Sequence, residues 1–259
     1  MKNPTLLRPL LGILSFLLLA AFFGLLYRNV GSPNRLSEQV KKVLDAAGSA
    51  NTYESHVLTH AVLPNRTISI TGDYKVDRPN TRYSAISTTT LYIQDIHSID
   101  IFTLQNVAFG QDIFTKLETN SVRLAKTMPR TRGWKHFTRG AIPEEFANIA
   151  VATPVSDNLS LLSDHGKYLS FVRSEIKDGE SETPETHYIF KLSNEKPIPA
   201  TAADSLYQRI GTQGVIDIQI DSTRQQVTTL HFENPMYQST TTISHINEQI
   251  LFTKPVAHE

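Results

Sequence analysis

The sequence predicts an α+β fold that is dominated by an antiparallel β-sheet and preceded by one N-terminal transmembrane helix. An uncharged apolar run fills residues 9–27. From residue 52 onward, strand-like segments follow one another without long helices between them, which favours antiparallel over βαβ connections. Near the end of the chain, Ile216, Ile218 and Ile220 alternate with polar residues, which places β-branched side chains on one face of a strand.

The apolar run Pro9–Tyr27 is 19 residues long and has no charge. As a helix it extends for about 28 Å, enough to cross a hydrocarbon core of about 30 Å. A signal peptide is the alternative, but no small-x-small cleavage site ends the run, so we favour a retained anchor. Because long folded domains are translocated largely regardless of charge, we expect a single-pass plasma-membrane protein whose C-terminal domain is extracytoplasmic.

After the apolar run, apolar residues recur at helical spacing, which predicts an amphipathic helix that ends at Gly48. Its apolar positions are Leu36, Val40, Val43, Leu44 and Ala47. The polar face of this helix is close to neutral, which favours packing onto the domain over lying on the membrane surface. The chain is predicted to have four parts: a short cytoplasmic segment (residues 1–8), the anchor (9–27), a linker with the amphipathic helix (28–50) and an extracytoplasmic β domain (51–255).

Strand-like segments fill most of the predicted β domain, over residues 53–63, 68–76, 82–93, 99–109, 112–118, 168–177 and 186–193. The tail, Gly214–Pro255, adds a three-stranded meander whose turn and break lie at Asp221–Arg224 and Asn234–Pro235. Short helices are predicted from Pro143, over Asp157–Leu162 and over Ala200–Ile210.

Composition excludes several classes of function. Lys2, Arg8 and Arg28 are the only charges in the first 28 residues, which leaves 22 basic and 25 acidic residues for the rest of the chain. This balance is not that of a nucleic-acid-binding protein. The lack of cysteine excludes disulfides, thiolate chemistry and a lipid-modified N-terminal cysteine. No motif for nucleophilic or zinc-dependent hydrolysis is present, so we expect neither catalysis nor a cofactor.

Three segments carry a resemblance to a known family. Gly133–Phe137 matches a strand with an aromatic residue, Thr186–Leu192 matches an alternating apolar strand, and the tail ends with Ile246–Ile250 in the position of an Asn-Glu-Pro-Ile ending. In these segments and in its order of elements, the chain resembles the LolA/LolB and LppX/LprG superfamily of lipoprotein carriers. It departs from that pattern at Gln249, where proline is usual, and in having no cysteine to be lipidated.

The resemblance implies a strongly curved antiparallel sheet, an incomplete barrel, covered by short helices. In the family, an apolar cavity between the sheet and the helices receives acyl chains. By this resemblance, the N-terminal helix would replace the lipidated cysteine as the membrane anchor.

Two groups of residues are candidate binding sites. The apolar side chains of one sheet face would either contact a ligand or fill a core, and they are Ile68, Ile70, Ile216, Ile218, Ile220, Leu230 and Phe232. A basic segment over residues 123–139 would either be a solvated loop or contact a lipid headgroup or a partner protein, and its candidate residues are Arg130, Arg132, Trp134 and Lys135.

A third cluster, Asp95, His97 and Asp100, lies at a predicted strand end. We interpret it as a turn with solvated charges rather than a divalent metal site.

Together these observations predict a membrane-anchored, extracytoplasmic binding protein that holds a lipid or another amphipathic ligand in an apolar concavity of the sheet. Its expected partners are that ligand, the membrane through the N-terminal helix, and an envelope protein. The alternative is a non-catalytic envelope interaction or sensor module with a filled core.

Overall fold

The structure is a computed structural model that describes residues 33–127, 133–144, 146, 169–177, 185–192, 213–221 and 223–257. The predicted anchor over residues 9–27 and most of the predicted short helices lie outside these ranges, as do Arg130 and Arg132. Within the ranges, no helix combines the length and the apolarity needed to cross a membrane.

The described residues form eleven strands in a single antiparallel sheet. The strands β1 to β11 are Thr52–Leu63, Arg66–Asp77, Arg82–Ile93, Ser98–Phe109, Asp112–Thr119, Lys135–Thr138, Leu169–Lys177, Glu185–Leu192, Val215–Asp221, Gln226–Asn234 and Tyr237–Ser244. The predicted β-rich fold and the three-stranded meander of the tail are therefore confirmed. The predicted strand limits lie within a few residues of the observed ones.

The strand order across the sheet is β6-β5-β4-β3-β2-β1-β11-β10-β9-β8-β7. All pairs of neighbouring strands but one are consecutive in sequence. The exception is the pairing of β1 with β11, whose register extends from Glu54 opposite Ser244 to Ala61 opposite Tyr237. Strands β6 and β7 are the two edges and do not pair with each other. The curved sheet is therefore an open one, as the predicted incomplete barrel requires.

The described residues include α1 at Pro33–Gly48 and the four-residue α2 at Leu124–Thr127, and Glu144 and Phe146 are also helical. The observed α1 includes the predicted amphipathic helix and begins at a proline, which is favourable at a helix start. The Arg78 guanidinium donates to the Gly48 carbonyl at the helix end. The described part of the chain is thus almost entirely sheet, and it does not establish the predicted cover of short helices.

Tight turns connect the successive long strands β1 to β5. Gly110 joins β4 to β5 with a φ of 61°, a left-handed conformation that glycine adopts without strain. No atom lies within 4 Å of the position of an added Cβ, so glycine is required here by the backbone and not by a close neighbour.

The register of the sheet defines two faces, because side chains directly opposite each other on antiparallel strands lie on the same side. We call the side that carries Val57, Tyr74 and Ile218 the apolar face. Its core includes a cluster of Val57, Tyr74 and Ala85, and a second cluster is formed by Ala108, Ile113 and Phe146.

Candidate functional site

The residues of the apolar face differ in burial from one region to another. On β9 and β10, Ile216, Ile218, Leu230 and Phe232 have no exposed surface, and Ile220 is 4 % exposed. Phe232 lies opposite Ile216, and Leu230 lies opposite Ile218. We call these five residues the packed region. The side chains predicted as ligand contacts in this region are enclosed by the protein, and their contact with a ligand stays a prediction.

Ile68 and Ile70, the other two predicted ligand contacts, are only half-buried. One row of register pairs joins Ile70 to the packed region, through Thr59 on β1 and Ser239 on β11 to Phe232. The Thr59 and Ser239 hydroxyls are 2.9 Å apart in this row. The same row of the sheet therefore passes from full burial at Phe232 to partial exposure at Ile70.

Burial also changes along the strands β1 to β4. The row Ser55, Tyr74, Ala85 and Asn106 is buried, and so are Val57 and Gly72 next to it. Farther toward the β1–β2 turn, the residues of this face other than Asp100 are half-buried or exposed. We call this less buried end of the apolar face the open end, and it includes Leu63, Arg66, Ile68, Ile70, Leu91 and Ile93. The apolar face is thus covered at one end and accessible at the other.

Gly72 and Tyr74 form the boundary of the open end on β2. Both are buried, and a Cβ added to Gly72 would lie 2.6 Å from Tyr74 Oη. The ring of Tyr74 therefore lies over Gly72. Burial, with a smaller contribution from the charge of Asp73, raises the pKa of the Tyr74 hydroxyl above its usual 10.0.

A cavity of about 530 Å³ lies at the open end. Apolar side chains from β1 and β3 form part of its wall, and they are Leu63, Leu91 and Ile93. Two cations, Arg66 and Arg123, also line the cavity, together with Pro64 and Asn65 of the β1–β2 turn. The cavity therefore combines an apolar wall with positive charge.

Asp100 holds Arg123 at this cavity. It pairs with the Arg123 guanidinium and is itself only 4 % exposed. A hydrogen bond from Ser121 is the main cause that lowers the pKa of the Asp100 carboxyl below its usual 3.8, and Arg123 and Ser98 lower it further, against the opposing effect of burial. Asp100 is thus a fixed anion that orients the arginine.

The chain that carries Arg123 is also fixed to β4. The Asn120 side-chain oxygen accepts from the Ile101 amide at 2.8 Å, and the Thr119 hydroxyl donates to the Ile101 carbonyl at 2.8 Å. These bonds hold the chain at the end of β5 against β4. Because Arg123 follows directly, its position is set by the strand end.

The predicted turn with solvated charges is correct for Asp95 and His97, which are exposed between β3 and β4. It is wrong for Asp100, which is buried because it faces Leu91 on the apolar side of β4. No group of three or more residues that would suit a metal ion is found among the described residues.

Two candidate residues of the predicted basic segment, Trp134 and Lys135, lie on opposite faces of the sheet. Lys135 begins β6 opposite Thr115 and so lies on the apolar face. Trp134 lies on the opposite face, in a groove of about 290 Å³ with Ile86, Val107 and the tail residue Phe252. The alternation of side chains along a strand separates these neighbours. Contact of Trp134 and Lys135 with a headgroup or a partner stays a prediction.

Arg66 was not among the residues that the sequence pattern selected. The predicted strand begins at residue 68, whereas β2 begins at Arg66, which is in phase with Ile68 and Ile70. The sequence signal that could have identified Arg66 is a cation on a strand face that is otherwise apolar.

No protein-family model matches the chain, and no curated protein matches it. Among solved structures, the chain is similar to LprF from Mycobacterium bovis, with 11% identity, coverage of 88% of this chain and 100% of the other, and a TM-score of 0.49. It is also similar to the lipoprotein LppX from Mycobacterium tuberculosis, with 16% identity, coverage of 85% and 99%, and a TM-score of 0.41. The chain thus resembles LppX/LprG-type structures, and at these identities the likeness concerns the fold alone.

Proposed function

We propose that this protein is a membrane-anchored, extracytoplasmic binding protein that holds a lipid or another amphipathic ligand at the open end of its apolar face. In this proposal residues 1–8 are cytoplasmic, residues 9–27 are the anchor, and residues 28–50 connect the anchor to the binding domain at 51–255. The protein is then a single-pass protein of the plasma membrane.

The observation that carries the proposal is the cavity of about 530 Å³ at the open end. This volume falls in the range of about 300–1,000 Å³ that is usual for small-molecule sites. Its wall contains Leu63, Leu91 and Ile93, so contact with an apolar ligand would remove their exposed surface from water. Because the same wall carries Arg66 and Arg123, a site of this kind suits a ligand with both an apolar and a polar part.

The length of the open end supports a chain-like ligand. From Arg66 to Gly72 the strand advances by six residues, which is about 20 Å at about 3.3 Å per residue. The half-buried side chains of Ile68 and Ile70 lie in between, and the ring of Tyr74 over Gly72 marks the far end. An acyl chain that lies along this face of β2 would contact apolar side chains over its length.

The charges at the cavity do not support catalysis. Asp100 is paired with Arg123, so it is held as an anion and is not positioned as a free general base. We therefore propose binding without a chemical step.

A second candidate function is favoured by the opposite face of the sheet. Apolar side chains there are strongly exposed, namely Leu58, Val62, Ile86, Ile99 and Ile101. Exposed apolar groups of this kind are typical of protein contact sites. The alternative is therefore an envelope interaction or sensor module that docks a partner through this face.

Native mass spectrometry of the full chain, extracted in detergent from a lipid-replete host, tests the proposal. We expect a co-purifying amphiphile with the wild type and its loss with Ile70→Glu, which places a charge at the open end. Ile99→Glu is the matched control, because Ile99 is 59% exposed on the opposite face.

A wild-type protein free of lipid would overturn the binding proposal, and so would equal lipid retention in both variants. Loss of a co-purifying protein with Ile99→Glu alone would instead support the interaction module.

A further inference from the structure

We infer that Arg66 and Arg123 form a recognition site for the anionic headgroup of an amphipathic ligand, which makes a fatty acid or an anionic phospholipid the ligand class. This inference rests on the proposed function, since it concerns the polar end of the same cavity.

The two arginines reach the cavity from separate parts of the chain. Arg66 is the first residue of β2, and Arg123 follows the end of β5. Both line the cavity whose wall includes Leu63, Leu91 and Ile93. The positive charges therefore lie beside the apolar wall, where the headgroup of a bound lipid would be.

Arg66 stands between apolar neighbours on the apolar face. It lies opposite Leu63 on β1 and opposite Ile93 on β3, and Ile68 follows it on the same side of the strand. Among the described residues it has no ion-pair partner. A guanidinium next to apolar side chains stays solvated by reaching to the rim, where it is available to an anion.

Arg123 is prepared for a ligand by its pairing with Asp100. The arginine side chain is 50% exposed, whereas the Asp100 side chain is only 5% exposed. A guanidinium has five N–H donors, so a single carboxylate leaves donors available on the exposed side. Asp100 therefore fixes the orientation of Arg123 without using all of its hydrogen-bonding capacity.

The charges at the cavity do not cancel. Among the described residues, two guanidinium groups line it, and one carboxylate, Asp100, pairs with Arg123. Asp95 lies in the adjacent β3–β4 turn and is exposed, but it does not line the cavity. Over the part of the chain that the structure describes, these three groups give one net positive charge, which favours one carboxylate or phosphate group.

Arginine is well suited to this role, because its planar fork binds carboxylate and phosphate oxygens through two parallel hydrogen bonds. A free phosphate ion would use the arginines but gain nothing from the apolar wall. An anionic amphiphile uses both parts of the site, so we expect it to bind more tightly than either a neutral amphiphile or free phosphate.

Binding to the full-length protein in detergent tests the inference with probes of matched chain length. The anionic probes are lauric acid and dilauroyl phosphatidylglycerol, the neutral ones are dodecanol and dilauroyl phosphatidylcholine, and inorganic phosphate is the chain-free probe. We expect the wild type to prefer each anionic probe about tenfold, and Arg66→Met with Arg123→Met to remove that preference. Arg173→Met, which removes an exposed charge on edge strand β7, should leave it unchanged.

The outcomes separate the inference from the proposed function. Equal binding of anionic and neutral probes by the wild type, or a preference that survives in the double variant, overturns headgroup recognition and leaves lipid binding standing. Binding of no amphiphile overturns both. Phosphate binding as tight as that of the lipids would show a simple anion site and overturn the inference. Unchanged dodecanol affinity in the double variant shows that it remains folded.

Discussion

The packed region and the open end belong to the same face of the same sheet, but their side chains differ in burial. Ile216 and Phe232 have no exposed surface, whereas Ile70 is half-buried, although a continuous row of register pairs joins all three. The difference is therefore not in the alternation of the strands. It is a difference in burial, which is complete in one part of the row and partial in the other.

This comparison separates two roles for chemically identical residues. An isoleucine in the packed region stabilises the fold by burial, and its removal leaves a cavity in a close-packed interior. An isoleucine at the open end contributes less to stability and retains surface that a ligand is able to cover. The same residue type thus supports folding in one region and binding in the other.

The largest expected effect is the difference between Ile216→Ala and Ile70→Ala. We expect Ile216→Ala to lower the free energy of unfolding by about 2–5 kcal/mol, because it creates an internal cavity. Ile70→Ala should cost about 1 kcal/mol, since the side chain is already partly exposed. Urea denaturation followed by circular dichroism measures both values. Equal costs would remove the distinction between the two regions.

Gly72→Ala tests the boundary of the open end. The added Cβ would lie 2.6 Å from Tyr74 Oη, so the ring must move, and overpacking of this kind costs about 1–3 kcal/mol. Because burial raises the pKa of Tyr74, displacement of the ring toward water should bring that pKa back toward 10.0. Thermal denaturation and ultraviolet titration of the tyrosines measure the two effects.

Tyr74→Ala is the matched background for this test. In the absence of the ring, Gly72→Ala should cost less than it does in the wild type. An equal cost in both backgrounds would mean that Tyr74 does not lie over Gly72.

Asp100→Asn tests the fixed charge at the open end. The folded-state pKa of Asp100 lies below its usual 3.8, so the carboxylate stabilises the folded protein above that pH, and this stabilisation is lost as the pH falls through the folded-state pKa. We therefore expect the variant to be less stable than the wild type at neutral pH and the difference to shrink below about pH 4. Stability measured in urea across this pH range gives the comparison.

Ser121→Ala sharpens the same test. The Ser121 hydrogen bond is the main cause of the lowered pKa, so its removal should raise the pKa of Asp100 toward 3.8. A difference between wild type and Asp100→Asn that stays constant with pH would contradict the assigned role of this carboxylate.

The smallest expected effect concerns the opposite face, which the C-terminal tail covers near β5. Lys254 Nζ lies 3.1 Å from Asp112 Oδ2 and 5.4 Å from the centre of the Phe114 ring. The hydrogen bond from His136 is the main cause that lowers the pKa of Asp112, and Lys254 adds to it. Lys254→Met should therefore raise the pKa of Asp112 slightly, as measured by carboxyl NMR. An unchanged pKa would mean that the tail does not bind there.

Much of the fold was predictable because its strands are long and alternate regularly. The predicted strands over 53–63 and 82–93 differ by at most one residue from β1 and β3. The four-residue strand β6 was harder, since Lys135–Thr138 is too short for a periodic pattern and is formed by pairing with β5. Local pattern was enough for the long strands and not for the short edge.

The candidate site was only partly predictable. Ile68 and Ile70 were identified by their alternation, and they lie at the open end. Arg66 lies just before the predicted strand over 68–76, and the sequence predicts a solvated charge at Asp100. The surroundings of such residues depend on partners distant in sequence. Arg123, for example, follows β5 and pairs with Asp100, 23 residues earlier in the chain. No local pattern encodes such a contact.

The sequence by itself determined the antiparallel strands and the side of each strand that is apolar, because the period of two in the side-chain pattern is a local property of the backbone. Only the tertiary structure decided which part of the apolar face is covered, and that Arg66 and Arg123 line one cavity. Burial and charge pairing depend on residues distant in sequence, so Phe232 and Ile70 have the same pattern and different surroundings.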